Sequence, residues 1–303
     1  MKKLLLSSII CIQLIFMISV INAQSNVLSA NQQDERIIVR IDNVTFTSYR
    51  FGDGQKYPYF YPLNGPTSGV SVTTESSLPY PHHRSLWFAC DRVNGGDYWG
   101  GGNERGQIIS RGPNILENNP EKILIKDTCD WKQPGNSPII TDERVIIITA
   151  PSDDLRIIDF TITLNALTDI TIEKSNHSLF AARIHHTLSV TEGGVLNNAE
   201  GKSGEKETAG VESSWCDFYG ERFGIVEGMA IFDSPQNIWF PSKWFTRDYG
   251  FFSPTNLQWR KDGLQLKEKE SISFEYRVIV HTGTTEQAGI RKLYYQWTKN
   301  SSK

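Results

Sequence analysis

Residues 271–283, SISFEYRVIVHTG, put Ile272, Phe274, Tyr276, Val278 and Val280 at every second position, and nothing else in the chain restricts its fold as strongly. A period of two is a strand with one face on a core, whereas a helix needs apolar residues three and four apart. The same alternation runs through DFTITLNAL at 159–167, where Phe160, Ile162 and Leu164 are set against Thr161, Thr163 and Asn165. β-Branched runs, IIVRID at 37–42, VTFTSYRF at 44–51, KILIKD at 122–127, RVIIIT at 144–149 and LRIIDFTITLNAL at 155–167, are divided by Gly, Pro, Asn and Asp. Short strands with turn residues between them predict an all-β, two-sheet antiparallel β-sandwich over 36–283. Only the end reads as helical. Thr284-Thr285-Glu286-Gln287 has the form of a capping box, and Ile290, Leu293, Tyr294 and Trp297 share one face, which predicts a single C-terminal helix over 285–298.

The chain opens MKKLLLSSIICIQLIFMISVINAQ, with two lysines, an apolar run from Leu4 to Val20 and a small residue at Ala23. That layout predicts a secretory signal peptide over 1–23 and a single sandwich domain over 24–303, periplasmic or secreted. An uncleaved anchor helix is the alternative, because the run approaches the roughly 20 apolar residues that a span needs. No later run has membrane length, so no membrane association is expected after cleavage. A net charge of -3 leaves no basic footprint and argues against a nucleic-acid partner. Cys90, Cys129 and Cys216 lack zinc-site spacing, and three buried thiols is the plainest expectation. No internal repeat and no composition break marks a linker.

Four stretches carry chemistry-bearing residues. In Pro81-His82-His83-Arg84 the two imidazoles can reach one pocket only if the segment is a turn, which Pro79 and Pro81 favour. One histidine then serves as general acid or base on a sugar, and Arg84 clamps a carboxylate or oxyanion; the alternative is a loop histidine and an arginine paired to a structural acid. Arg247-Asp248-Tyr249 lies between the aromatic runs KWF and GFF, where charges must be paired or functional. Catalysis, sugar binding and a loop-pinning bridge all remain open there. The loop NGGDYWGGGNERG at 94–106 suits an aromatic tip for stacking on a sugar ring, with Tyr98 and Trp99 as rings and Asn94, Asp97, Asn103 and Glu104 as hydroxyl partners. A tight glycine turn is the alternative. Its spacing is not that of a phosphate loop, so no nucleotide cofactor is implied, and no cofactor is expected. His185-His186 follows a strand pattern; a metal site joining it to His82 or His83 and an acid is a third possibility. The loop EGKSGEKETAG at 200–210 reads as a solvated connection.

Taken together, YPYFYPLNGPTSG at 57–69, PHHRSLWFACDRVNGGDYW at 81–99, NAEGKSGE at 198–205, SSWCDFYG at 213–220 and GMAIFDSPQNIWFPSKWFTRDYGFF at 228–252 resemble the PmoA-like family of exported bacterial proteins. The methane-oxidising label that such proteins carry belongs to an integral membrane subunit, which this pattern does not fit. The resemblance implies a sandwich of the galactose-mutarotase kind and a role in glycan use. It adds Tyr61 and Trp87, within the shared segments, as candidate substrate contacts. Where members commonly show histidine, this chain has Ser234 and Phe245. The expectation is therefore an exported carbohydrate-active enzyme with a carbohydrate as its partner, acting by hydrolysis, elimination or epimerisation through His82, His83, Arg84, Arg247, Asp248 and Tyr249. A non-catalytic glycan-binding sandwich using the aromatic loop is the competing expectation, and a metal-dependent enzyme the third.

Overall fold

The computed structural model describes residues 26–176, 178–255 and 257–301, so the expected signal peptide lies outside the described residues. Two antiparallel sheets carry the fold. The first runs, edge to edge, through Leu28–Gln33, Arg36–Ile41, Val44–Arg50, Tyr59–Leu63, Leu86–Cys90, Ser178–Arg183, Phe251–Pro254 and Trp244–Arg247. The second runs through Val195–Asn198, Trp215–Arg222, Ile225–Asp233, Ser271–Thr282, Leu155–Ala166, Ile140–Ser152, Ile123–Lys132 and Gln107–Ser110, with Asn114–Asn118 also paired to Ile123–Lys132. A two-stranded ribbon joins Ile170–Ile172 to Leu264–Leu266. The first strand, Leu28–Gln33, precedes the expected start at 36; its polar SANQQ sequence hides an edge strand that pairs with Arg36–Ile41.

The long alternating segments behave as their period dictates. Leu155–Ala166 and Ser271–Thr282 lie side by side, with Phe160 opposite Tyr276 and Ile162 opposite Phe274. Inward rings of the second sheet meet the first: Tyr276 and Phe160 stack on Phe180 at 4.5 and 5.2 Å, and Phe218, on Trp215–Arg222, meets Phe252 at 5.1 Å. Such offset and edge contacts add to the area buried between the two sheets.

The helix begins later than expected, at Ile290, and runs to Ser301. The capping-box contacts do form, Thr284 N donating to Gln287 Oε1 at 2.9 Å and Gln287 N to Thr284 Oγ1 at 3.3 Å, but they close a turn instead. Gly289, at φ +66°, breaks the helical path immediately after. Ile290 and Trp297 pack on Ile157, Trp215, Phe232 and Ile279, which project from the outer face of the second sheet. That sheet is thus covered on both faces here, which accounts for the unbroken run Val278-Ile279-Val280. Cys90, Cys129 and Cys216 are buried free thiols. Among the described residues no helix is long and apolar enough to cross a membrane.

Candidate active site

The segment holding the two histidines is a turn. His83 N donates to Tyr80 O at 3.1 Å, and Ser85, at φ +62°, redirects the chain into the strand Leu86–Cys90. Tyr57 locks the turn from below, its hydroxyl donating to His82 O at 2.7 Å. The two rings meet edge to face at 4.7 Å, yet their surroundings differ. His83 is 4% exposed and lies among Tyr80, Trp87, Trp99 and Phe251 at 4.9–5.9 Å. His82 is half-buried and stands against Trp99 at 4.6 Å, facing a cleft of about 250 Å³.

That cleft opens on the outer face of the first sheet. Phe60, Phe88 and Phe180 point into the core, so the alternate residues Tyr59 and Trp87, opposite each other in the ladder, point outward, as does Phe251 beside them. Tyr57, Tyr59, His82, Arg84, Trp99 and Asn103 line the cleft, with Lys56 at its rim. The Arg84 guanidinium lies 5.8 Å from the Tyr59 ring centre, and among the described residues no carboxylate is paired with it. Tyr59 donates its hydroxyl to Glu75 Oε1 at 2.6 Å, and Arg50 donates Nη1 to the same oxygen at 2.8 Å. Burial, with the bond to Glu75, pushes the Tyr59 phenol up to about 12, so at neutral pH it is a proton-bearing donor. Burial also lowers Lys56 from its ordinary value. Tyr61 sits beside this network, its ring 5.4 Å from the Arg50 guanidinium.

Arg247, Asp248 and Tyr249 separate. Tyr249 joins the histidine cluster, 5.3 Å from Tyr80 and 6.4 Å from His83. Arg247 and Asp248 turn to the 200–210 segment, which is largely exposed and whose residues Gly204–Thr208 form a short helix. Asp248 Oδ1 accepts from Glu205 N at 2.7 Å, Asp248 N donates to Glu205 Oε2 at 3.0 Å, and Arg247 Nη1 donates to Glu205 Oε1 at 3.1 Å. This reciprocal clasp has the geometry of the loop-pinning alternative and engages one carboxylate oxygen of Asp248.

The glycine-rich loop also departs from expectation. Tyr98 is 1% exposed and packs on Trp131 at 5.3 Å; it is a core residue, and the glycines exist to admit it. A Cβ at Gly96 or Gly106 would stand 2.8 or 2.9 Å from its ring. Asp97 folds the loop, its Oδ1 accepting from Trp99 N and Gly100 N at 2.9 Å. Burial acts to raise that carboxyl, but the amide donors hold it below the usual range. Asn94 ties the loop to the Ile170–Ile172 strand, donating to Asp169 O and accepting from Thr171 N, both at 2.8 Å. Trp99, 5% exposed, walls the cleft instead of crowning a mobile tip. Glu104 is the middle residue of the short 3₁₀ turn Asn103–Arg105 and is exposed outside the cleft lining. Trp87 is the floor beneath His83.

His185 and His186 pair with each other at 4.5 Å, and burial takes His185 down to about 4. Among the described residues no three His, Cys, Asp or Glu side chains converge as metal ligands. Of the two positions where the resembled family shows histidine, Phe245 lies on the outer face of the first sheet, against Phe251 at 5.4 Å. Ser234 follows a strand of the other sheet, bonded to Glu275 at 3.2 Å. Sequence reasoning missed Glu75 and Arg183. Glu75 sits in a polar TTESS stretch without periodicity, whereas Arg183 leaves a signal, a single charge closing the apolar run SLFAAR.

A family model described as a family of unknown function, DUF6807, matches residues 36–295. A search of curated proteins gives no match. Among solved structures, a galactose mutarotase related enzyme from Lactobacillus acidophilus is similar at 6% identity and a TM-score of 0.32, covering 85% of this chain and 98% of that one. A structure described provisionally as a kojibiose phosphorylase from the human microbiome is similar at 9% identity and a TM-score of 0.34, covering 91% of this chain and 36% of that one. Scores this low carry nothing about activity, and the fold stands on the sheet order given above.

Proposed function

The chain belongs to the family of unknown function DUF6807, which brings no activity with it, and on that premise we propose that it is a carbohydrate-active enzyme using His82 for proton transfer. The observation that carries this reading is the convergence of His82, Arg84, Tyr57, Tyr59 and Trp99 on one cleft of about 250 Å³. The aromatic wall suits the C–H face of a sugar ring. Arg84, without a carboxylate partner among the described residues, supplies a planar fork for an oxyanion or a carboxylate. His82 is the group placed to take or give a proton at a hydroxyl or ring carbon, and Tyr59, held by Glu75, is a second donor. Hydrolysis, elimination and epimerisation can each draw on such a set. The finer resemblance to PmoA-like proteins, and export through the segment at 1–23, belong to the same proposal.

The burial of Tyr98 and Trp99 favours an enzyme over a glycan-binding module, because neither ring offers a free stacking face on a loop tip. Purified protein screened against plant and host glycan fragments, read by mass, tests the reading. A product of changed mass or retention that disappears in His82→Ala supports it. Binding of fragments without any turnover would replace it with the binding module.

A further inference from the structure

We propose that Arg183 anchors a second subsite on the same sheet face and that it takes a carboxylate of the ligand; the sugar part of that ligand rests on the function proposed above. Arg183 closes the strand Ser178–Arg183 and pairs in the ladder with the outward Phe251. It is 3% exposed, and its Nε and Nη1 are enclosed without an acceptor. Only its backbone is satisfied, N donating to Ser85 O at 2.7 Å and O accepting from Thr74 N at 3.1 Å. Among the described residues no carboxylate lies within ion-pairing distance of the guanidinium.

The other enclosed arginines of this protein are served differently. Arg144 grips Asp142 through two bonds of 2.8 and 2.9 Å, Arg156 donates to the carbonyls of Ser152 and Leu155, and Arg222 donates to those of Val70 and Ser71, with its Nε alone left without an acceptor. Arg183 has instead the Tyr249 ring, 4.1 Å from its guanidinium carbon. A ring face offsets part of the cost of burying a cation, but it accepts none of the five N–H donors. Two enclosed donors without an acceptor are costly to keep, and a guanidinium matches a planar carboxylate. Burial lowers the arginine's pKa, against the fields of Tyr249 and Tyr80.

The cover over this group is aromatic and partly open. Tyr80 is 38% exposed and lies 5.3 Å from Tyr249, so these two rings stand between solvent and the guanidinium. Tyr80 also stacks on His83 at 5.1 Å, which links any ligand arriving at Arg183 to the histidine turn. Tyr59 faces Trp87, Trp87 faces Ala181, and Arg183 is two residues further along. Two strand spacings and two residue rises place its Cα about 12 Å from that of Tyr59. A ligand that reaches both the cleft and Arg183 is therefore longer than one sugar ring, with its acidic group on a unit other than the reacting one.

Melting of the full chain, at constant ionic strength, with trigalacturonate, its neutral methyl ester and acetate, in wild type and Arg183→Met, tests this. The expected result is a saturable upward shift with trigalacturonate, absent with the ester, and an affinity at least tenfold weaker in the variant. A shift with acetate as large as that with trigalacturonate, lost in Arg183→Met, keeps the carboxylate subsite and removes the sugar reading. Equal shifts in wild type and variant, equal shifts with the ester, or no saturable shift in wild type overturn the proposal. The ligand-free variant should melt no lower than wild type; a fall as large as that of Arg144→Met would make Arg183 a structural tie and also overturn it. Arg183→Gln serves if the methionine variant does not fold.

Discussion

Replacing Asp217 with Asn separates a buried ion pair from a buried hydrogen bond. Asp217 and His281 are both 0% exposed, Oδ1 and Nε2 lie 3.0 Å apart, and Thr285 donates to the other carboxylate oxygen at 2.7 Å. The group ties Ser271–Thr282 to Trp215–Arg222 and to the turn that precedes the helix. Burial works against the imidazolium, but the charge and hydrogen bond of Asp217 prevail, and the pKa of His281 stands above its ordinary value. A raised folded-state pKa makes the pair's contribution complete below the unfolded value of about 6.5 and removes it as pH rises through the folded value. Losing one partner of a buried pair costs about 3–5 kcal/mol, the expected loss in Asp217→Asn near pH 5.5–6. Above the folded pKa the wild type holds a neutral histidine, and the difference should shrink towards that of one neutral hydrogen bond, about 1 kcal/mol. Asp233, pushed up to about 6 by burial, titrates in both proteins and cancels. Urea unfolding of the two proteins at fixed ionic strength, from about pH 5.5 to 9, measures the difference. A difference constant across that range would refute the argument.

His82→Ala should lower kcat on a turned-over sugar by about 10²–10⁴ with little change in Tm, because the ring is half-buried at the cleft; full activity would pass the role to Tyr59. His83→Ala should instead cost stability, about 1–3 kcal/mol by denaturant titration, since its ring is packed among aromatics. Tyr98→Ala should cost about 3–5 kcal/mol, and an unaltered midpoint would mean that the loop glycines do not enclose that ring. Asp248→Ala should loosen the 204–208 helix, read as faster amide exchange at Glu205, while leaving kcat within about twofold. N-terminal sequencing of protein from its native host should begin near Gln24, and recovery of intact Met1 in membranes would reverse the export proposal.

What the sequence revealed follows from the range of each signal. Strand alternation is local, so Leu155–Ala166 and Ser271–Thr282 were readable almost to the residue. The turn at His82-His83 was also local, through Pro79 and Pro81. The capping box was read correctly as a pair of contacts, but φ at Gly289 depends on how the helix must meet Trp215 and Phe232, and one stretch of sequence does not contain that. Arg247 and Asp248 looked catalytic because their partner, Glu205, lies 42 and 43 residues away. Tyr98 looked exposed because glycines usually mark a free loop, whereas here they remove side chains from around a buried ring. The rule that buried charge must be paired or functional was applied to Arg247, whose partner the fold supplies, and not to Arg183, whose partner it withholds.

The ladder beneath the cleft also fixes an order in time. Leu86–Cys90 bonds to Ser178–Arg183, which bonds to Phe251–Pro254, so neighbours in space are made far apart during synthesis. Until residue 178 has emerged, Leu86–Cys90 has an unpaired edge, and the chain must close a long loop before these contacts reward it. Tyr249 and Phe251 arrive later still. A chain that stops before them has the cleft-lining residues between 54 and 103 but leaves His83 without the Tyr249 and Phe251 rings that pack on it, and such uncovered apolar surface favours aggregation.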